Sequence, residues 1–149
     1  MARDPRAYLW DAREAAKSIL IFTQDLDAAG YSASDLIRAA VERKFEVIGE
    51  SLSQLAKQDS TLAARIPDLA QIVAFRNQLI HGYATVNAAT VWNIVQRSLP
   101  ELLHVLQRLL DELAGYGWDS TCSATNSAPA DVLSALKLNR PGFEEAPTL

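Results

Sequence analysis

The residues best placed to do chemistry are Arg76, Asn77, His81 and Tyr83, gathered in the run Phe75-Arg76-Asn77-Gln78-Leu79-Ile80-His81-Gly82-Tyr83. A guanidinium grips a phosphate through paired, charge-assisted hydrogen bonds and stabilises charge developing on its oxygens. An imidazole titrates near neutrality and moves protons. Together they suit phosphoryl transfer, and with RNA as substrate the 2′-hydroxyl would be the internal nucleophile, so no metal or cofactor would be needed. On a helix Asn77 and His81, four apart, share a face, and Arg76 and Tyr83, seven apart, nearly eclipse. Arg76 and His81 lie about 140° apart around the axis, so only the length of the arginine lets its guanidinium approach the ring. One helix alone makes a poor two-residue site, and a second copy from a symmetric partner would supply the missing acid or base.

Each of these residues also has a plainer use. A histidine at a helix end can simply interact with the helix dipole. Arg76 can pair with a carboxylate of a neighbouring helix, Glu46 or Glu50, and Tyr83 can close the bundle. Glu42, Glu46 and Glu50 recur every four residues and read as a solvated stripe rather than a metal site. His104 reads as exposed and structural, and Trp10, Trp92 and Trp118 as packing residues rather than base-stacking platforms.

The elements that must position these groups are helices. Tyr8, Leu9, Ala12, Ala15, Ala16, Ile19, Leu20, Thr23 and Leu26 have helical spacing. Gly30 is expected to close that helix, and Ser32, with Asp35 three residues on, to cap the next. Leu36, Ile37, Ala40, Val41, Phe45, Ile48, Leu52 and Leu55 continue the same period through a second long helix. A short helical turn is expected over 60–65, and Ile66 should be pushed out of helical geometry by Pro67. Asp68 begins a third helix, which Gly82 stops. The fourth starts at Asn87 and runs to Leu113, with a kink or break near Arg97 because Pro100 removes a backbone donor and crowds the preceding turn. No stretch alternates like a strand. The expected fold is all-α, an antiparallel four- to five-helix bundle over 1–118. Residues 119–149 read as a linker and flexible tail with a poorly ordered character, carrying at most a short helix at 131–138.

Composition bounds the partners. With 149 residues, 49% of them hydrophobic, packing alone can hold one domain together. The single cysteine, Cys122, fits a reducing cytoplasm, and no run is apolar enough for a membrane span. A net charge of -4 argues against a protein that coats nucleic acid electrostatically. Between Thr61 and Pro100, however, Arg65, Arg76 and Arg97 stand against Asp68 alone, a local +2 that can meet a phosphate.

Arg76-x4-His81-x-Tyr83 is similar to the R-x4-6-H signature of HEPN domains and, in its R-x4-H-x-Y form, resembles the HepT toxin family. The stretches Arg3 to Asp11, Glu46-Val47-Ile48-Gly49-Glu50, Val91 to Val95 and Leu99-Pro100-Glu101-Leu102 resemble that family too, so the likeness covers roughly residues 3–113. It implies an intracellular toxin, a metal-independent endoribonuclease, whose homodimer lines one cleft with two copies of the motif. It also implies a nucleotidyltransferase antitoxin of the MntA type that transfers AMP to the motif tyrosine, here Tyr83. The added charge and bulk beside Arg76 and His81 would block RNA. Asn77 matches the polar residue that often follows the motif arginine and would support the site. A different class of reading is a helical dimer without nuclease activity, serving as partner or substrate of a nucleotidyltransferase.

Overall fold

The computed structural model describes residues 3–82 and 86–115. Among them the chain forms α1 (Pro5–Thr23), α2 (Ala28–Ala33), α3 (Asp35–Gln58), α4 (Ser60–Ala63), α5 (Leu69–His81), α6 (Ala88–Asn93), a π-helical turn (Ile94–Ser98) and α7 (Leu99–Gly115), with no strand. This is the expected all-α bundle. The stretch assigned to a tail, 119–149, with its short helix at 131–138, lies outside the described residues.

Asp4 caps α1, its carboxylate accepting from the Arg6 amide at 2.9 Å, and Pro5 fills the first helical position, where a missing N–H costs nothing. The helix ends at Thr23, whose hydroxyl turns back to donate to the Ile19 carbonyl at 2.8 Å. The expectation that one helix continues to Gly30 is corrected here. Asp27 accepts from the Gly30 amide at 2.7 Å and so starts the separate α2, with Gly30 inside it. The next cap is also displaced by two residues. Ser34, not Ser32, accepts from the Ile37 amide at 3.3 Å, because an N-cap oxygen reaches the amide three residues on.

The core is the meeting of α1, α3 and α7. Leu9, Ala12, Ala16 and Ile19 of α1 face Val41, Phe45, Ile48, Leu52 and Leu55 of α3, and Leu99, Leu106 and Leu109 of α7 complete the packing. Alanines at three positions of α1 let the long helices come close. Tyr8, early in α1, accepts a hydrogen bond from Gln58 at the end of α3 at 3.2 Å, as antiparallel neighbours do. Leu36, expected on the apolar stripe of α3, is instead exposed at its first turn, before the helix reaches its neighbours. A buried charge joins the α1–α7 contact: Arg13 donates to Gln107 at 2.9 Å, and its guanidinium lies 4.0 Å from the Trp10 ring centre. Trp92 packs against the fully buried Tyr31, with ring centres 5.5 Å apart.

The helix expected to bend near Arg97 does change there. Asn87 caps α6 through the Ala89 amide at 2.8 Å, and after Asn93 the backbone widens into the π-helical turn. Within it the Leu99 amide donates to Ile94, five residues back. The donor that would serve Gln96 in an ordinary α-helix belongs to Pro100, which has none, so a wider turn lets the chain pass the proline without ending the helix.

Candidate functional site

Helix α5 carries the motif, and its surroundings differ from those of every long helix. No residue of its 13 is buried, although Ile72, Val73, Phe75, Leu79 and Ile80 make it apolar in composition. Its packing is chiefly on α3. There Phe75 meets Phe45 edge-on, with centroids 5.3 Å apart, and the backbones approach most closely at Gly49. A Cβ at that glycine would lie 2.3 Å from Arg76 Cβ and 2.7 Å from Arg76 Cγ. Real atoms do not come so near, so the α3–α5 contact requires a residue without a side chain at position 49. At its start α5 follows Asp68, whose φ of 59° is left-handed, and at its end the Gly82 amide donates to Gln78 at 2.8 Å. Gly82 itself has a φ of -76°, so the helix stops there without the left-handed turn for which glycine is usually chosen.

Arg76 is the most constrained of the candidate residues. Its Nη2 donates to the Glu50 carboxylate across the α3–α5 contact, and its Nη1 donates to Asn77 Oδ1 at 2.8 Å. The arginine side chain is 17% exposed and that of Glu50 is 51% exposed. Its Nε is buried without a hydrogen-bond partner. Since each terminal nitrogen carries two N–H groups, one on each remains uncommitted among the described residues. Gln54 donates to Glu50 at 2.9 Å, and this bond, followed by the positive charge of Arg76, holds the Glu50 carboxyl below the usual carboxylate range. Glu50 is therefore ionised at neutral pH.

The structure thus brings Arg76 and Asn77 together and adds Glu50, which the sequence offered only as a structural partner for the arginine. His81 is the last residue of α5, exposed, and among the described residues no side-chain hydrogen bond joins it to Arg76. Tyr83, the fourth predicted site residue, lies outside the described residues. Gly49 was given no role by its chemistry. Its signal was its place, a glycine inside a 24-residue helix, where it weakens the helix unless something must come close.

Beside the Arg76–Glu50 pair a groove of about 340 Å³ opens, lined by Arg3, Tyr8, Asp11, Glu46, Glu50 and Ile80 among others. The segments 3–11 and 46–50 and the motif helix, distant in sequence, meet at its walls. Its cations are already engaged, Arg3 with Asp11 at 2.6 Å and Arg43 with Glu46 at 3.0 Å. A smaller apolar groove of about 160 Å³, with Phe75 in its wall, runs between α3, α5, the π-helical turn and the start of α7. His104 is exposed on α7, as expected.

Comparison with known proteins gives one consistent picture. The family described as Ribonuclease HepT-like matches residues 12–109. The chain is 31% identical over 111 residues to a protein of Methanocaldococcus jannaschii provisionally named an RNase, covering 74% of this chain and 95% of that one. A second protein of that organism, named in the same way, is 32% identical over 100 residues, 67% of this chain and 91% of its own length. A protein of Thermococcus cleftensis provisionally named ribonuclease HepT is 28% identical over 109 residues, 73% of this chain and 98% of its own. No solved structure matches the chain.

Proposed function

The chain belongs to the HepT-like ribonuclease family, and we propose that it is a toxin that cleaves RNA without a metal, using Arg76 and His81, and is silenced by AMP transfer to Tyr83. The observation that carries the reading is the state of Arg76: a guanidinium fixed to Glu50, which lines an open groove, with one N–H of each terminal nitrogen uncommitted among the described residues, on the helix that ends in an exposed His81. Those N–H groups match two oxygens of a phosphodiester. In the reaction the 2′-oxygen forms a bond to phosphorus and loses its proton to an imidazole, while the bond to the 5′-oxygen breaks and that oxygen gains a proton. The products are a 2′,3′-cyclic phosphate and a 5′-hydroxyl, and Arg76 stabilises the charge on the pentacoordinate phosphorus between them. Asn77 supports the arginine through its Oδ1.

Two protons move, and each chain offers one motif imidazole, so a homodimer that faces two copies of α5 across one cleft supplies both base and acid. The unburied apolar residues of α5, with Ile80 49% exposed, support such a pairing. Tyr83 follows His81 by two residues in the sequence, and an adenylate added there by an MntA-type nucleotidyltransferase antitoxin would bring negative charge and bulk to the motif. The reading places the protein in the cytoplasm, with RNA as substrate. Among the described residues no helix is long and apolar enough to cross a membrane.

The test is expression of the wild type, Arg76→Ala and His81→Ala without antitoxin, with RNA cleavage assayed in chelator. Wild type should arrest growth and leave 2′,3′-cyclic ends, and each variant should lose about 100-fold or more in rate. Equal growth arrest and equal cleavage by all three would remove the proposal. A second reading, a non-catalytic dimer modified by a nucleotidyltransferase, is favoured by one observation, the occupation of Arg76 by Glu50. It predicts intact RNA together with adenylate addition that Tyr83→Phe abolishes.

A further inference from the structure

We infer that Glu50 is the positioning residue of the RNA-cleaving site, setting the plane and reach of the Arg76 guanidinium. The inference rests on the ribonuclease reading above. A long arginine side chain on a helix with no buried residue would sample many rotamers, and freezing them at the moment of reaction would subtract from catalysis. Here the freezing is built in. Glu50 takes Nη2 from one side and Asn77 takes Nη1 from the other, so the fork is held in a fixed plane. Gly49, immediately before Glu50, brings the α3 backbone against Arg76 Cβ and Cγ, which sets where the arginine stem leaves α5. Glu50 is in turn oriented by Gln54, one helical turn on, at 2.9 Å.

The arrangement has a cost that makes the role recognisable. A carboxylate beside a phosphate site repels the substrate, so a residue kept only for binding RNA would not be an acid. A carboxylate whose job is orientation should therefore weaken ground-state binding slightly while raising the rate of the chemical step. The two effects fall on different kinetic constants, and a merely structural ion pair would move neither.

The experiment is steady-state cleavage of a fluorescent RNA oligonucleotide in chelator by the full chain, as wild type, Glu50→Ala, Glu50→Gln, Arg76→Ala and Glu50→Ala/Arg76→Ala. Because the Glu50 side chain is half exposed, its variants should fold, and thermal melting verifies this. Glu50→Ala should lower kcat about 10- to 100-fold with KM unchanged or lower. Glu50→Gln, which keeps an oxygen acceptor for Nη2, should recover part of the loss. In the Arg76→Ala background removal of Glu50 should lower kcat no further, since there is no guanidinium left to orient. Active wild type with an unaffected or faster Glu50→Ala, or losses that add in the double variant, would overturn the positioning role and leave the ribonuclease reading standing. Inactive wild type would bring down both.

Discussion

Helices α3 and α5 lie against each other, yet only one of them is part of the core. Along α3 the residues Val41, Phe45, Ile48, Leu52 and Leu55 are almost wholly removed from water. Along α5 a larger share of apolar residues leaves none buried. The difference is in how many neighbours each has: α3 is packed by α1 as well as α5, whereas α5 leans chiefly on α3, at a point where Gly49 lets it in. The helix that carries the candidate motif is thus not one of those that form the buried core. A helix held along one side can be met by a phosphate or a second subunit without opening the core, and local motion there costs less than global unfolding.

The largest effect that can test this division comes from truncating the core side. Leu52→Ala, at a fully buried position, should cost about 2–5 kcal/mol in urea unfolding. Ile80→Ala on α5, where the side chain is 49% exposed, should cost less than about 1 kcal/mol. Equal costs would mean that α5 belongs to the same cooperative core. Next in size is Gly49→Ala. In an open helix that change stabilises by about 0.5–1 kcal/mol. Here the new Cβ would meet Arg76 Cβ at 2.3 Å, so a loss of about 1–3 kcal/mol is expected instead. A gain would show that α5 lifts away from α3 freely and that the close approach is not required.

What could be read from the sequence follows the same division. The long helices, their inward faces and the short turn at Ser60–Ala63 were legible because burial imposes a 3.6-residue period on the types of residue allowed. The disturbance before Pro100 was legible because a missing N–H has one consequence wherever it falls, though its form, a π-helical turn, was not. The Ser34 cap was missed because Ser32 and Ser34 both offer an oxygen, and only the backbone decides which one faces an amide. At the candidate site, Arg76, Asn77 and His81 stand out in the sequence by type and spacing, and the structure joins the first two. The choice of Glu50 over Glu46 as the partner of Arg76 was not, because it depends on where α5 crosses α3, a long-range fact with no local period. Gly49 acquires a meaning only from that crossing.

The smallest effect concerns two glutamates on α3, one at each of the contrasted regions. Burial, with a lesser push from Glu46 against the pull of Arg38, raises the Glu42 carboxyl above its ordinary 4.5, whereas Glu50 is lowered. For Glu42 the folded state holds its proton more tightly than the unfolded state, so stability declines as pH rises from the unfolded value through the raised folded one. At neutral pH its charge is therefore a net cost. For Glu50 the sign reverses: its contribution is present above the unfolded value and lost as pH falls through the lowered folded one. Glu42→Gln should raise Tm at pH about 7, by the equivalent of less than about 1 kcal/mol, and Glu50→Gln should lower it. The Glu42 difference should shrink toward pH about 3, where that carboxyl is protonated in either state, and the Glu50 difference should shrink only as pH falls further, through its lowered folded value. Melting curves of the two variants at both pH values check this directly. A Glu42→Gln shift that is the same at both would mean that this carboxylate is fully hydrated, and that the core end of α3 is as open to water as the end that holds Arg76.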